Sequence, residues 1–171
     1  MDTNIHQGPE GVQGVKKMLM AFRRQSKEID NQILRLENLE TGLYSVKSPV
    51  LSSMPHSPSP SHDKWSGKLD KKEQLDRDIR EMVDAQVQCA RYIEDILNQV
   101  ENPDERAVIR LFYLDGERWG IVNQIMYGNN PDFLEREESY YKRVSRLHGR
   151  ALVHMAHIIS VNDGNVAINM N

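Results

Sequence analysis

Residues 15–43 read VKKMLMAFRRQSKEIDNQILRLENLETGL, and their apolar side chains recur at alternating steps of four and three residues. This spacing places them along one side of an α-helix and matches the heptad repeat of coiled coils. The seam consists of Val15, Leu19, Phe22, Ile29, Ile33, Leu36 and Leu43, with Ser26 and Glu40 at the two remaining positions. No proline follows before Pro49, so the pattern predicts a long helix over residues 13–44.

A second heptad seam lies further along the chain and predicts another long helix over residues 66–101. Its positions are Leu75, Ile79, Met82, Gln86, Cys89, Ile93, Ile96 and Val100, widened on one flank by Val83, Ala90 and Leu97. Because each helix has one apolar stripe, neither is stable alone. Within one chain the two helices could fold back as an antiparallel hairpin, whereas between chains they could pair as a coiled coil. We favour the homodimer.

The segment between the two seams has a different composition. Residues 46–64 are rich in serine and contain four prolines, Pro49, Pro55, Pro58 and Pro60. Proline removes a backbone donor and disfavours the α conformation in the residue before it, so no helix is expected to cross this stretch. We interpret it as a flexible or extended linker.

The remaining third of the chain predicts three more helices. Asn102 is suited to cap a short helix that ends at Asp115-Gly116, and a second helix is expected from Glu117 to Tyr127. After a loop around residues 129–132, a last helix is expected over 135–159. The predicted organisation is thus an N-terminal helix with a frayed start (1–45), a linker (46–64), a second helix (65–101), a helix-turn-helix domain (102–159) and a flexible tail (160–171).

Composition supports an all-α fold of this kind. The chain of 171 residues is 27% charged, 39% apolar and 6% aromatic, which favours helices with polar faces over a β-sandwich. The net charge of −3 means that any affinity for a polyanion must be local. The start of the chain has no signal-peptide pattern, and the longest apolar run, Met18 to Phe22, is too short to span a membrane. With Cys89 as the single cysteine, we expect a cytoplasmic protein.

A local excess of positive charge occurs in the last predicted helix. From Ser139 to Asn162 no acidic residue is present. The basic side chains Arg143, Arg146, Arg150, His154 and His157 follow steps of three, four, four and three, which places them on one helix face with Lys142 beside it. A basic face opposite the apolar positions of Val144, Leu147 and Ala151 is typical of a helix that enters the DNA major groove. The same pattern also fits the solvated face of a helix that only packs against its neighbours.

The sequence from 105 to 116, ERAVIRLFYLDG, followed by Trp119, resembles the opening of region 4 of bacterial sigma factors. It is also similar to sigma-region-4-like phage transcriptional regulators of the ArpU and RinA kind. Those proteins share an R-x-L-x-Y-x-x-G-x-x-W stretch and a final helix similar to residues 144–152, VSRLHGRAL. Their long N-terminal helices are joined by a polar linker with a Met-Pro dipeptide, matched here by Met54-Pro55.

The resemblance implies a set of DNA-contacting residues at the start of the last helix, because that helix contacts promoter DNA in sigma region 4. The implied residues are Tyr141, Lys142, Arg143, Ser145 and Arg146, and the basic face adds Arg150 as a further candidate contact residue. Two features depart from the family pattern. Lys142 stands where sigma factors often have an acid, so the preferred DNA sequence need not be theirs. Residues 129–138 form an insertion where the family turn is short, and they place acidic side chains just before the proposed recognition helix.

The resulting hypothesis is a phage or prophage transcriptional regulator that binds double-stranded DNA, acts with host RNA polymerase and activates late or packaging genes. One alternative is a small terminase-type DNA-packaging subunit, and another is a helical interaction module that does not bind DNA. We expect no enzymatic activity and no cofactor. His154 and His157 are spaced as a metal-binding pair could be, but no Cys, Asp or Glu lies near them in sequence, so we expect no metal site.

Overall fold

The computed structural model describes residues 11–44 and 61–168, and within these ranges it contains helices and no strand. The helices are α1 (Gly11–Tyr44), α2 (Ser61–Leu97), α3 (Pro103–Ile109), α4 (Trp119–Tyr127) and α5 (Glu137–Ile168). One turn of π-helix, Arg110–Leu114, continues α3. The all-α prediction is therefore confirmed. Of the helices described, none has both the length and the apolar character needed to cross a bilayer.

Two predicted boundaries are corrected by the structure. The helix α2 begins at Ser61, so residues 61–64 of the predicted linker are helical, whereas linker residues 46–60 lie outside the described ranges. No proline occurs from 61 to 102, and the backbone donors needed for a helix are intact. Similarly, α5 continues to Ile168, so the tail predicted at 160–171 is helical up to that residue. A single glycine, Gly164, costs only about 1 kcal/mol in a helix and does not end it. Residues 1–10 and 169–171 are also outside the described ranges.

The chain divides into two compact units, and the first consists of Gln25–Val87. In this unit α1 and α2 form an antiparallel hairpin. The side-chain amide of Gln86 donates a hydrogen bond to the Ser26 hydroxyl (2.5 Å), and Lys72 Nζ lies 2.9 Å from the Glu40 carboxylate. Glu40 lies two heptads after Ser26 while Lys72 lies two heptads before Gln86, which is the register of antiparallel helices. The heptad seams therefore meet within one chain.

The seam of this hairpin is only partly apolar, and not all of its apolar side chains are buried. Its buried side chains are Ile29, Leu43, Leu75 and Ile79. Ile33, which the heptad pattern also places in the seam, is 37% exposed. Ser26 and Gln86 face each other, so these two polar seam positions meet in a hydrogen bond rather than in an apolar contact.

The second unit joins the start of α1, up to Arg24, to the chain from Gln88 onward. Its first core cluster draws on α1, α2, the α3 region and α5. The buried members are Val15, Leu19, Phe22, Ile93, Ile96, Leu97, Val100, Ile109, Tyr113, Ala151, Leu152, Met155 and Ile159. The first turns of α1 are thus packed in the same core as the C-terminal helices, and residues 102–159 do not form a separate unit.

A second core cluster holds α3, α4 and the start of α5 together. It is built from Val108, Val122, Tyr127, Phe133, Val144 and Leu147. The helix α3 starts as predicted, with the side-chain oxygen of Asn102 accepting a hydrogen bond from the Asp104 backbone N–H (2.9 Å) and Pro103 in the first turn. Phe133 belongs to the inserted segment 129–138, so that segment contributes a buried anchor and is not merely a surface loop.

Candidate nucleic-acid interface

The first half of α5 has one buried and one exposed side. Val144, Leu147 and Ala151 are buried, as the apolar spacing predicts. All six sequence-predicted contact residues are exposed on α5: Tyr141, Lys142, Arg143, Ser145, Arg146 and Arg150. Between Tyr141 and Arg150 the exposed surface of this helix therefore has four cationic side chains and no acid, whereas Glu137 and Glu138 precede this stretch in the first turn.

The guanidinium groups of Arg143 and Arg146 are free of acidic partners among the residues that the structure describes. Arg143 lies over the ring of Tyr127, with 5.1 Å between the guanidinium carbon and the ring centroid. Arg146 Nε donates to the carbonyl oxygen of Lys142 at 3.3 Å. Contacts with a ring face and a carbonyl orient the two side chains without neutralising their charge.

Two other cations on this helix do have acidic partners. Lys142 Nζ lies 2.7 Å from the Glu138 carboxylate, but both side chains are well exposed, so the pair is weak and easily exchanged for another anion. Arg150 Nε lies 3.3 Å from Oε1 of Glu105, whose side chain is only 2% exposed. The other carboxylate oxygen, Oε2, lies 2.6 Å from Nδ1 of His154.

Sequence reasoning did not identify Glu105 as a partner of the basic helix. Glu105 is an acidic residue in the first turn of α3, where its negative charge interacts favourably with the positive end of the helix dipole. Packing of α3 on α5 brings it to Arg150 and His154, which are 45 and 49 residues away in sequence. Within the described ranges no group of three or more His, Cys, Asp or Glu side chains is placed to hold a metal ion.

A pocket of about 180 Å³ lies next to two of the predicted contact residues. It is lined by Trp119, Tyr141, Ser145 and His148. The Nε2 atom of His148 lies 3.0 Å from the Tyr113 hydroxyl. Burial lowers the pKa of His148 below its ordinary value, and the positive charge of Lys16 lowers it further. The neutral imidazole is therefore the favoured form beside this pocket.

Trp119 belongs to the second core cluster with Leu111 and Leu147, as its place in the pattern predicts. In a helix-turn-helix we expect an indole at this position to pack between Leu111, Ile125 and Leu147; the part of this expectation that concerns Ile125 is wrong, because Ile125 is 54% exposed. The helix α4 packs through Trp119, Val122 and Met126, which lie on the same side, whereas Ile125 lies about a quarter turn away from the centre of that side.

Part of the acidic charge of the inserted segment 129–138 is engaged in hydrogen bonds with neighbouring side chains. The Asp132 carboxylate accepts a hydrogen bond from the Tyr140 hydroxyl (2.7 Å) and another from Arg136 (3.1 Å). The hydrogen bond from Tyr140 has the largest effect on the pKa of Asp132 and lowers it below its ordinary value. The hydrogen bond from Arg136 lowers this pKa further. Glu137 and Glu138 lie in the first turn of α5, where acids stabilise the helix start.

The chain matches no protein-family model, no curated protein and no solved structure.

Proposed function

We propose that this chain is a DNA-binding transcriptional regulator whose recognition helix is the first half of α5. The observation that carries the proposal is the exposed pair Arg143 and Arg146, whose guanidinium groups have no acidic partner within residues 11–44 and 61–168 and whose helix has a buried apolar side. An α-helix fits the width of the major groove, and unpaired guanidinium groups can bind phosphates or guanine edges.

The neighbouring elements support this role. In a helix-turn-helix the recognition helix is held by two helices packed behind it. Here α3 and α4 pack on α5 through Val108, Val122 and Val144. The exposed hydroxyl groups of Tyr141 and Ser145 add neutral hydrogen-bonding groups at the flank of the cationic surface. Base contacts and phosphate contacts could thus be divided between different side chains of one helix.

We further propose that the protein is encoded by a phage or prophage and acts in the bacterial cytoplasm together with host RNA polymerase on late or packaging genes. This part rests on the similarity of residues 105–119 and 144–152 to sigma-region-4-like regulators. A homodimer would present two recognition helices to a two-fold DNA site, which doubles the local positive charge of a chain whose net charge is −3.

The test is binding to fragments of the cognate genome, followed by footprinting of the fragments retained. The variant Arg143→Ala/Arg146→Ala should bind the selected site at least tenfold more weakly, because each lost base contact costs ~1–3 kcal/mol. Arg24→Ala/Arg35→Ala is the matched control, since it removes the same charge from exposed positions of α1. Equal binding by both double variants, or no protected site with the intact protein, would exclude the proposed interface.

A further inference from the structure

The buried carboxylate of Glu105 divides the basic side of α5 into two parts. Toward the start of the helix, Arg143 and Arg146 have no acidic partner in the described residues. Further along, Arg150 and His154 each contact one oxygen of Glu105. The division arises from α3, because Glu105 reaches α5 from that helix.

The three partners differ sharply in exposure. Glu105 has a side chain that is 2% exposed, whereas those of Arg150 and His154 are 60% and 52% exposed. A buried carboxylate needs its cationic and hydrogen-bonding partners, since it has lost most of its hydration. Arg150 and His154 remain largely hydrated and could exist without it. The dependence is therefore one-sided: Glu105 needs Arg150 and His154 as partners, whereas these two exposed side chains do not need Glu105 for their own solvation.

These side chains line an open pocket of about 420 Å³, together with His157 and the end of α2 around Gln99. The open space means that Arg150 has room to leave the carboxylate when the attraction is removed. In its observed position its Nε lies 3.3 Å from Oε1 of Glu105. A guanidinium that neutralises a carboxylate on its own protein contributes less to the neutralisation of DNA phosphates.

We propose that Glu105 is a positioning residue of the DNA interface: it holds Arg150 and His154 against α3 and restricts phosphate contact to the start of α5, up to Arg146. This inference rests on the proposed function. It removes Arg150, which the basic helix face predicts as a contact residue, from the set of DNA contacts. It also gives α3 a direct electrostatic role, because Glu105 on α3 limits how many side chains of α5 can bind phosphate.

The consequence is measurable as a salt dependence. Each phosphate neutralised by a cationic side chain contributes about 0.9 to the slope of log Kobs against log salt concentration. Glu105→Gln keeps the shape of the side chain and removes its charge, so Arg150 becomes available to a phosphate. The slope should then become steeper by about one, and affinity for a duplex of arbitrary sequence should rise about five- to tenfold at ~0.1 M salt.

The experiment is a fluorescence anisotropy titration of a labelled duplex over a range of salt concentrations. Glu105→Asp retains the negative charge, so its salt slope should equal that of the unchanged protein. Glu105→Gln/Arg150→Gln also removes the released cation, so the steeper slope and higher affinity of Glu105→Gln should disappear. Glu101→Gln is the matched control, since Glu101 is an exposed carboxylate on the same pocket. An unchanged slope in a folded Glu105→Gln protein would overturn the inference.

A second measurement needs no substitution. Arginine modification by a dicarbonyl reagent, followed by mass spectrometry, should show that DNA protects Arg143 and Arg146 but leaves Arg150 as reactive as in the free protein. Equal protection of all three would overturn the role of Glu105 while supporting DNA binding by α5. Protection of none, with binding insensitive to Arg143→Ala/Arg146→Ala, would instead overturn the proposed function.

Discussion

The indole of Trp119 stacks on the ring of Phe112, with the ring centroids 3.8 Å apart and the planes inclined by 17°. The edge of the same indole faces His148 on α5, at 5.0 Å between centroids and 80° between planes. Trp119 therefore links the π-helical turn, α4 and α5. The position of this ring holds α5 against α4 and the π-helical turn, and the indole also borders the pocket beside Tyr141.

Replacing Trp119 by alanine should lower the free energy of unfolding by ~3 kcal/mol, because it removes a stacked ring and leaves a cavity next to Leu147. Urea denaturation measures the change. Ile125→Ala is the control in the same helix, and it should change stability by less than ~0.5 kcal/mol since the side chain is mostly exposed. A Trp119→Ala protein that unfolds like the parent but has lost DNA binding would show that the indole contacts DNA.

Arg23 fastens the start of α1 to the segment that precedes α4. Its guanidinium carbon lies 4.1 Å from the centroid of Phe112, and its Nη2 donates to the carbonyl oxygens of Gly116 (2.9 Å) and Glu117 (3.1 Å). Arg23→Ala should cost ~1–3 kcal/mol, the range expected for charge-assisted hydrogen bonds together with a cation–π contact. Thermal denaturation compares it with Arg24→Ala, an exposed neighbour. If Arg23→Ala and Arg24→Ala have the same melting temperature, Arg23 does not hold the start of α1 against the segment before α4.

Stability should depend on pH through His148. Its pKa is lowered in the folded protein, first by burial and then by Lys16, from an ordinary value of 6.5. Between the lowered pKa and 6.5 the unfolded chain binds a proton that the folded chain does not bind, so stability rises with pH in this window and falls as the pH drops below 6.5.

The measurement is the urea midpoint at a series of pH values from about 7.5 to about 5. His148→Gln should flatten the fall in stability on acidification, whereas His157→Gln, at an exposed position, should leave it unchanged. If the stability of the His148→Gln protein falls on acidification as much as that of the unchanged protein, the pH dependence comes from other groups.

The proposed homodimer can be tested by sedimentation equilibrium in the micromolar range, where we expect a dimer. Since the heptad seams of Gln25–Val87 meet within one chain, a second copy must bind elsewhere, and Leu34 and Val87 remain exposed on this unit. Leu34→Glu should weaken self-association about tenfold or more, because it places a charge in an apolar contact. Leu134→Glu, at a position that is 87% exposed, is the control. A monomer would exclude the dimer, and a ring of eight or more subunits would favour the packaging alternative.

Much of this fold is predictable from local sequence. The heptad spacing predicts α1 and α2, and the Asn102-Pro103 pair marks the start of α3 because capping and a first-turn proline depend on adjacent residues only. The exposed basic side of α5 follows from the steps between Arg143, Arg146 and Arg150. In each case the deciding interactions lie within a few residues along the chain.

What could not be predicted depends on contacts between distant segments. The contact of Glu105 with His154 needs the packing of α3 on α5, which no spacing reveals. The same is true of Phe133, whose burial turns an apparent loop into part of a core. The choice between an intrachain hairpin and a coiled coil depended on Ser26 and Gln86 meeting within one chain, and a heptad pattern is compatible with both arrangements.

The first core cluster has a consequence for the order of events during synthesis. It needs Val15 and Leu19 from α1 and Met155 and Ile159 from α5, which are separated by well over a hundred residues. The hairpin of Gln25–Val87 has all its residues much earlier. On the ribosome the hairpin can therefore form before α5 exists. During that interval Val15, Leu19 and Phe22 can contact the end of α2 but lack the α5 side chains that complete their burial, so they are more open to chaperones than in the finished fold.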